Sequence, residues 1–141
     1  MKIEIKNRFT GDVIIGGKYN SIKECLEKNR GAYLSGAYLS RADLYGASLR
    51  GANLRGADLG GVKNYSEQHG IFQEVIRQQS LKLFTEKEWA CIGQICVHKI
   101  CWNGIKKRWG NTAMRVFKKL SEAGFTEWEE KYKGIISKKG E

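Results

Sequence analysis

Residues 32–61 read AYLSG AYLSR ADLYG ASLRG ANLRG ADLGG. Leucine returns at Leu34, Leu39, Leu44, Leu49, Leu54 and Leu59, and alanine at Ala32, Ala37, Ala42, Ala47, Ala52 and Ala57. A period of five suits no standard element. On an α-helix each step of five turns the leucine by about 500°, which wraps the apolar residues round the surface. On a strand it sends successive leucines to opposite faces. A coil that turns a corner every five residues puts every Leu and Ala inside and the other three residues of each repeat outside. Alanine fits a narrow interior, and the glycine after each outward pair suits a corner.

The spacing A-(D/N)-L-x-x resembles that of the pentapeptide-repeat family. The resemblance implies a right-handed quadrilateral β-helix with four repeats per turn. The six repeats quoted then make one and a half turns. So short a coil leaves two open ends with unpaired backbone, and the rest of the chain is expected to cap it. The flanking segments are similar to those of short pentapeptide-repeat proteins encoded by bacteriophages, in which a strand-rich N-terminus precedes the repeats and a Trp-rich helical region follows. That similarity implies an accessory protein that blocks a host process, such as a defence system. Other members of the family mimic DNA and inhibit topoisomerases, but they are acidic rods with many more turns. A short chain with a formal charge of +10 does not suit that role.

The flanks read as ordinary elements. Residues 2–6 and 13–16 alternate as strands around a turn at 7–12, and Ser21-Ile22-Lys23-Glu24 is a capping box that opens a short helix to about Asn29. After Gly61 helices are expected at 67–79, from Thr85 to about Lys99, at 101–109, at 112–123 and from Thr126 to about Ile136. Thr85-Glu86-Lys87-Glu88 is a second capping box, flanked by Phe84 and Trp89 as a hydrophobic staple. Thr126-Glu127-Trp128-Glu129 reads as a further helix start, and residues 137–141 as a polar, frayed tail. The expected class is α+β: a ββα capping unit at 1–30, the β-helix at 31–64 and an α-helical domain at 65–141.

Composition narrows the function. The chain has 141 residues, 41% of them hydrophobic, enough for a packed core. No apolar run approaches the roughly 18 residues of a membrane span. Residues 1–12 alternate apolar and charged side chains and lack the apolar stretch of a signal peptide, so a cytoplasmic protein without a membrane partner is expected. Lys and Arg number 25 against 15 Asp and Glu. The excess is even, with 11 basic and 6 acidic residues in 1–65 and 14 and 9 in 66–141. Such a balance favours anionic partners, nucleic acid or nucleotides, although a soluble protein can also simply be basic.

Arg30 and Arg50 lie four repeats apart and are expected to stack one rung apart, with Arg55 on the next face. Tyr33, Tyr38 and Tyr45 also point outward, and aromatics interleaved with arginines can stack on bases or hold nucleotides. In the helical region the segment 89–125 has the order of a helix-turn-helix. Arg115, Lys118 and Lys119 lie on the expected exposed side of its third helix, and Lys106, Lys107 and Arg108 precede it. Three helices packed as a cap give the same pattern. Cys91, His98 and Cys101 share a helical face but lack the C-x₂₋₄-C spacing of a zinc site, so no metal is expected. No nucleophile–base pair, phosphate loop or carboxylate dyad is evident. The expectation is a non-enzymatic binding protein without a cofactor. Its partner is an anionic ligand or, alternatively, a host protein that it inhibits or adapts, and pairing of two coils into a homo-oligomer is a further expectation.

Overall fold

A computed structural model describes residues 2–98 and 101–137 of the chain. The class is α+β. A two-stranded antiparallel sheet, β1 (Lys2–Lys6) and β2 (Val13–Lys18), is followed by α1 (Ile22–Lys28), the coil, and α2 (His69–Arg77). Then come α3 (Glu86–His98), α4 (Trp102–Trp109), α5 (Asn111–Glu122) and α6 (Glu127–Ile136). The end expected for α3 at Lys99 and the frayed tail at 138–141 lie outside the described residues. No helix among the described residues is long and apolar enough to cross a membrane. The chain divides into two compact units, Met1–Gln78 and Gln79–Glu141.

In the first unit the backbone returns to its own side after twenty residues. Parallel bridges join Tyr33 to Asn53, Tyr38 to Asp58 and Asp43 to Lys63. The Leu34 N–H donates to Asn53 O at 2.8 Å, and the Asn53 N–H donates to Ala32 O at 3.1 Å. The same pair of bonds recurs for Leu39 with Asp58 and for Leu44 with Lys63. Four repeats therefore separate neighbours in the ladder. Every repeat leucine is buried, with Leu34 and Leu44 fully so. At the near end of the coil, β1 runs on to pair with the first rung: Tyr38 N–H donates to Lys6 O and Arg8 N–H to Gly36 O, both at 2.7 Å.

The corners explain the rest of the motif. Each Leu C=O accepts from the N–H three residues on, an alanine as from Ala37 to Leu34 at 3.0 Å except after Leu59, where it is Val62. The third residue of that turn has positive φ, which is the demand of a type II turn and the reason for glycine. Gly36, Gly46, Gly51, Gly56 and Gly61 obey it, and Arg41 stands in the same place at φ 63°. The Asp or Asn of the motif locks the corner: Asp43, Asn53 and Asp58 each accept through Oδ1 from the N–H two residues on, at 2.9 to 3.0 Å.

A left-handed conformation costs a residue with a Cβ about 1–2 kcal/mol, and glycine forfeits about 0.4–1 kcal/mol of that gain through a freer unfolded chain. Arg41→Gly is therefore expected to raise the stability of the coil by up to about 1 kcal/mol. Gly51→Ala is expected to lower it by a similar amount, because the new Cβ meets only Gly31 Cα at 3.8 Å and the cost is conformational. Denaturant midpoints of the two variants check the opposite signs.

The capping box of α1 differs in detail from expectation. Ser21 Oγ accepts from Glu24 N–H at 3.2 Å, but the Glu24 carboxylate reaches past Ser21 to the Asn20 N–H. The box of α3 closes in both directions, Thr85 with Glu88, at 3.2 Å each way. Phe84 and Trp89 meet edge to face at 5.2 Å as the staple. Helix α6 starts where it was read, at Glu127, although Thr126 sits in helical geometry and its side chain makes no cap hydrogen bond. The second unit packs around Trp102, Phe117 and Tyr132, with Phe117 and Tyr132 edge to face at 5.2 Å. The Tyr132 hydroxyl donates to Gly110 O at 2.8 Å, and burial pushes its pKa up to about 12.

The boundary between the units departs from the one expected at 64/65. Helix α2 has the amphipathic side expected of it, with Phe72, Val75 and Ile76 buried, but it belongs to the unit that holds the coil. Its polar side chains supply the reason.

Candidate anion-binding cleft

The coil ends at a rung whose ladder bonds have no further rung to meet. In the coil itself each Ala O accepts from the backbone N–H 21 residues later: Ala32 from Asn53, Ala37 from Asp58 and Ala42 from Lys63. On the last rung Ala47 O accepts from Gln68 Nε2 at 2.6 Å and Ala57 O from Gln78 Nε2 at 3.0 Å. The offset is again 21. Side-chain amides at the two ends of α2 thus take the places that backbone amides hold elsewhere. The Gly56 N–H, also on this edge, donates to Glu74 Oε2 at 3.0 Å. Unpaired buried backbone groups cost free energy comparable to a lost hydrogen bond, so these three contacts tie α2 to the coil.

Glu74 is a buried carboxylate with a complete set of partners. Beyond Gly56 it accepts from Gln78 Nε2 at 2.8 Å, and its other oxygen lies 3.4 Å from Arg77 Nε. Above it opens a cleft of about 170 Å³, lined by Asn53 and Arg55 of the last rung and by Gln73, Glu74 and Arg77 of α2. The Nη atoms of Arg77 and the guanidinium of Arg55 have no hydrogen-bond partner among the described residues. Asn53 Oδ1 is engaged by the Arg55 N–H at 3.0 Å, which leaves its amide nitrogen as a donor. Two guanidinium groups therefore border one small polar cleft, that of Arg77 held through Nε by Glu74.

The other expected residues of the coil fall on its surface. Tyr33 is bridged to Asn53 and is 74% exposed, Tyr38 is bridged to Asp58, and Tyr45 is exposed beside Asp43. Arg30 and Arg50 are exposed, and the adjoining Gly31 and Gly51 lie one on the other across neighbouring rungs. Arg55 alone of these residues lines the cleft. Glu74 and Arg77 were not singled out in the sequence. Their signal was faint: Gln68, Gln73 and Gln78 keep the five-residue phase of the repeat beyond the point where Leu and Ala abandon it.

The basic residues of the second unit are less free than their pattern suggests. Lys119 was expected on an exposed face, but its Nζ lies 2.6 Å from Glu88 Oε1 and donates to Leu83 O at 2.8 Å. Arg115 Nε lies 3.4 Å from Glu88 Oε2. Both cations answer a carboxylate that is 2% exposed. Burial raises the Glu88 pKa, but the hydrogen bonds from Lys119, Thr85 and Arg115 outweigh it, and the group lies below its usual value. Lys106 Nζ reaches Ile135 O at 3.4 Å, Arg108 lies over the Trp109 ring, and Lys107 and Lys118 are exposed. Cys91 is buried, and burial with the Glu88 charge pushes its thiol up to about 12. Cys101 is exposed. No group of three or more His, Cys, Asp or Glu among the described residues is placed to hold a metal ion.

No curated protein and no solved structure matches the chain. Residues 30–63 match the family model described as pentapeptide repeats (8 copies). The match begins and ends with the coil, and over that span the chain is similar to pentapeptide-repeat sequences.

Proposed function

We propose that the chain is a non-enzymatic binding protein built on a short right-handed quadrilateral β-helix, and that it holds an anionic partner, a nucleotide or nucleic acid, on the arginine-bearing surface of that coil. The twenty-residue ladder offset supports the architecture. The observation that carries the function is the pairing of Arg55 and Arg77 across one polar cleft. Exposed tyrosines on the same coil add stacking surfaces that tolerate any base. An accessory role of the phage type is the setting that fits the resemblance of the flanks.

The test is native mass spectrometry of the tagged chain recovered from bacterial lysate at moderate salt. A retained nucleotide or nucleic acid is the expected result. For a polymer, the affinity is expected to fall with salt at a slope of about −0.7 per phosphate neutralised on a single strand. Arg50→Glu and Arg55→Glu are expected to weaken it, and recovery of the bare chain from a lysate rich in nucleotides overturns the reading. A second reading, an inhibitor or adaptor of a host protein, draws on Phe9, Tyr33 and Tyr45, each about three-quarters exposed on the first unit. It requires one protein retained with little salt dependence and no anion.

A further inference from the structure

We propose that the cleft beside Glu74 is the phosphate site of a nucleoside phosphate whose base lies on Tyr33. The inference rests on the anion-binding reading and deepens it by naming the ligand and its seat.

The groups at the cleft mouth are donors. Arg77 is turned by the Glu74 carboxylate, which engages Nε at 3.4 Å and leaves the Nη edge for another acceptor. Glu74 cannot follow the ligand, because Gly56 N–H and Gln78 Nε2 hold its second oxygen. Arg55 enters from the coil, and the Asn53 oxygen is already spent on the Arg55 N–H. One carboxylate against two guanidiniums leaves a single positive charge unbalanced. An oxyanion with several acceptor oxygens meets both arginines at once, and planar guanidinium groups pair with phosphate in two-bond geometry.

Size and neighbourhood supply the rest. At about 170 Å³ the cleft is smaller than the roughly 300 Å³ at which drug-sized ligands become enclosed, so the charged group enters and the remainder stays outside. Tyr33 is the parallel bridge partner of Asn53, a cleft residue. Its side chain leaves the same face of the coil one rung away, roughly 5 Å along the ladder. It stands where the repeat motif has Asp or Asn, and so gives up the corner lock that Asn53 makes, leaving an exposed ring one rung from Asn53.

The experiment is calorimetric titration of the full chain at fixed ionic strength with AMP, inorganic phosphate and adenosine. Two further probes are one short oligonucleotide carrying a 5′-phosphate and the same strand with a 5′-hydroxyl. AMP is expected to bind more tightly than inorganic phosphate, with adenosine weakest. Arg55→Ala or Arg77→Lys is expected to weaken AMP about tenfold or more, the scale of a charge-assisted hydrogen bond. Tyr33→Ala is expected to weaken AMP and leave inorganic phosphate unchanged. Both arginines are exposed enough for these changes to leave the thermal transition in place, which a melt of each variant confirms.

If the strand with the 5′-phosphate binds more tightly than AMP and loses that advantage in Arg77→Lys, the site reads strand ends. If AMP binds at least as well, it reads free nucleotides. AMP no tighter than adenosine, or affinity unchanged in both arginine variants, overturns the assignment. Should nucleic acid still bind and weaken in Arg50→Glu while Arg77→Lys is silent, the cleft fails and the broader reading stands. If no anionic probe binds, both fail.

Discussion

Glu88→Ala is expected to cost the second unit about 3 kcal/mol, near the lower end of the range for removing one partner of a buried ion pair. The carboxylate closes the capping box with Thr85 and receives Lys119 and Arg115. Alanine removes the three carboxylate contacts at once and keeps only the bond from its own N–H to Thr85 Oγ1. The loss stays near the lower end because the Lys119 and Arg115 side chains, 28% and 52% exposed, can turn to water. All four tryptophans of the chain lie beyond residue 78, so tryptophan fluorescence, excited selectively over tyrosine, reports this unit during denaturant unfolding. The pH dependence has a definite sign. The folded pKa of Glu88 lies below the ordinary 4.5, so its contribution is complete above about that pH and is lost as pH falls through the lowered value. Glu88→Ala is expected to flatten that acid limb; a variant that keeps both the midpoint and the limb contradicts the role.

Leu34→Ala is expected to cost the first unit about 3 kcal/mol, within the range for emptying a buried leucine site. Leu34 is fully buried, its N–H is fixed to Asn53 O, and its carbonyl is fixed to the Ala37 N–H. The backbone on either side is therefore held in the ladder and in a corner and cannot fall inward to fill the space. Amide hydrogen exchange of Leu34, Leu39 and Asn53 is the measurement, because these N–H groups are ladder donors and open only when the rungs part. Exchange unaltered by the substitution contradicts the picture of a narrow interior filled by leucine.

The coil was legible because its signal is redundant. Leu and Ala repeat in phase, and the position before each Ala has one conformational demand, which only Arg41 meets without being glycine. Capping boxes at Ser21 and Thr85 were legible for the same kind of reason, since donor and acceptor sit three residues apart. Thr126 marked a helix start in the same way, and α6 begins beside it, but without a cap bond because the Thr126 backbone is itself helical. What sequence could not display was the partner of a polar side chain far along the chain. Lys119 looks like a surface cation until Glu88, 31 residues away, is placed beside it. Gln68, Glu74 and Gln78 look like the wet face of an amphipathic helix until the unpaired edge of the last rung is set against them. The apolar side of α2 announced a helix without naming what it covers. The cleft and Arg77 went unread with it.

The two glutamines that stand in for backbone amides carry a consequence for how such a chain can change length. They meet their carbonyls because 21 residues, one full circuit plus one, separate donor from acceptor. An insertion of four repeats just before the last rung restores the same edge in the same orientation, and α2 docks as before. An insertion of one, two or three repeats there also leaves the separation of 21 intact, so the last rung and α2 turn together relative to β1 at the other end. The capping contacts of α2 therefore travel with the last rung, and the coil can lengthen by whole repeats ahead of it without losing its closed end.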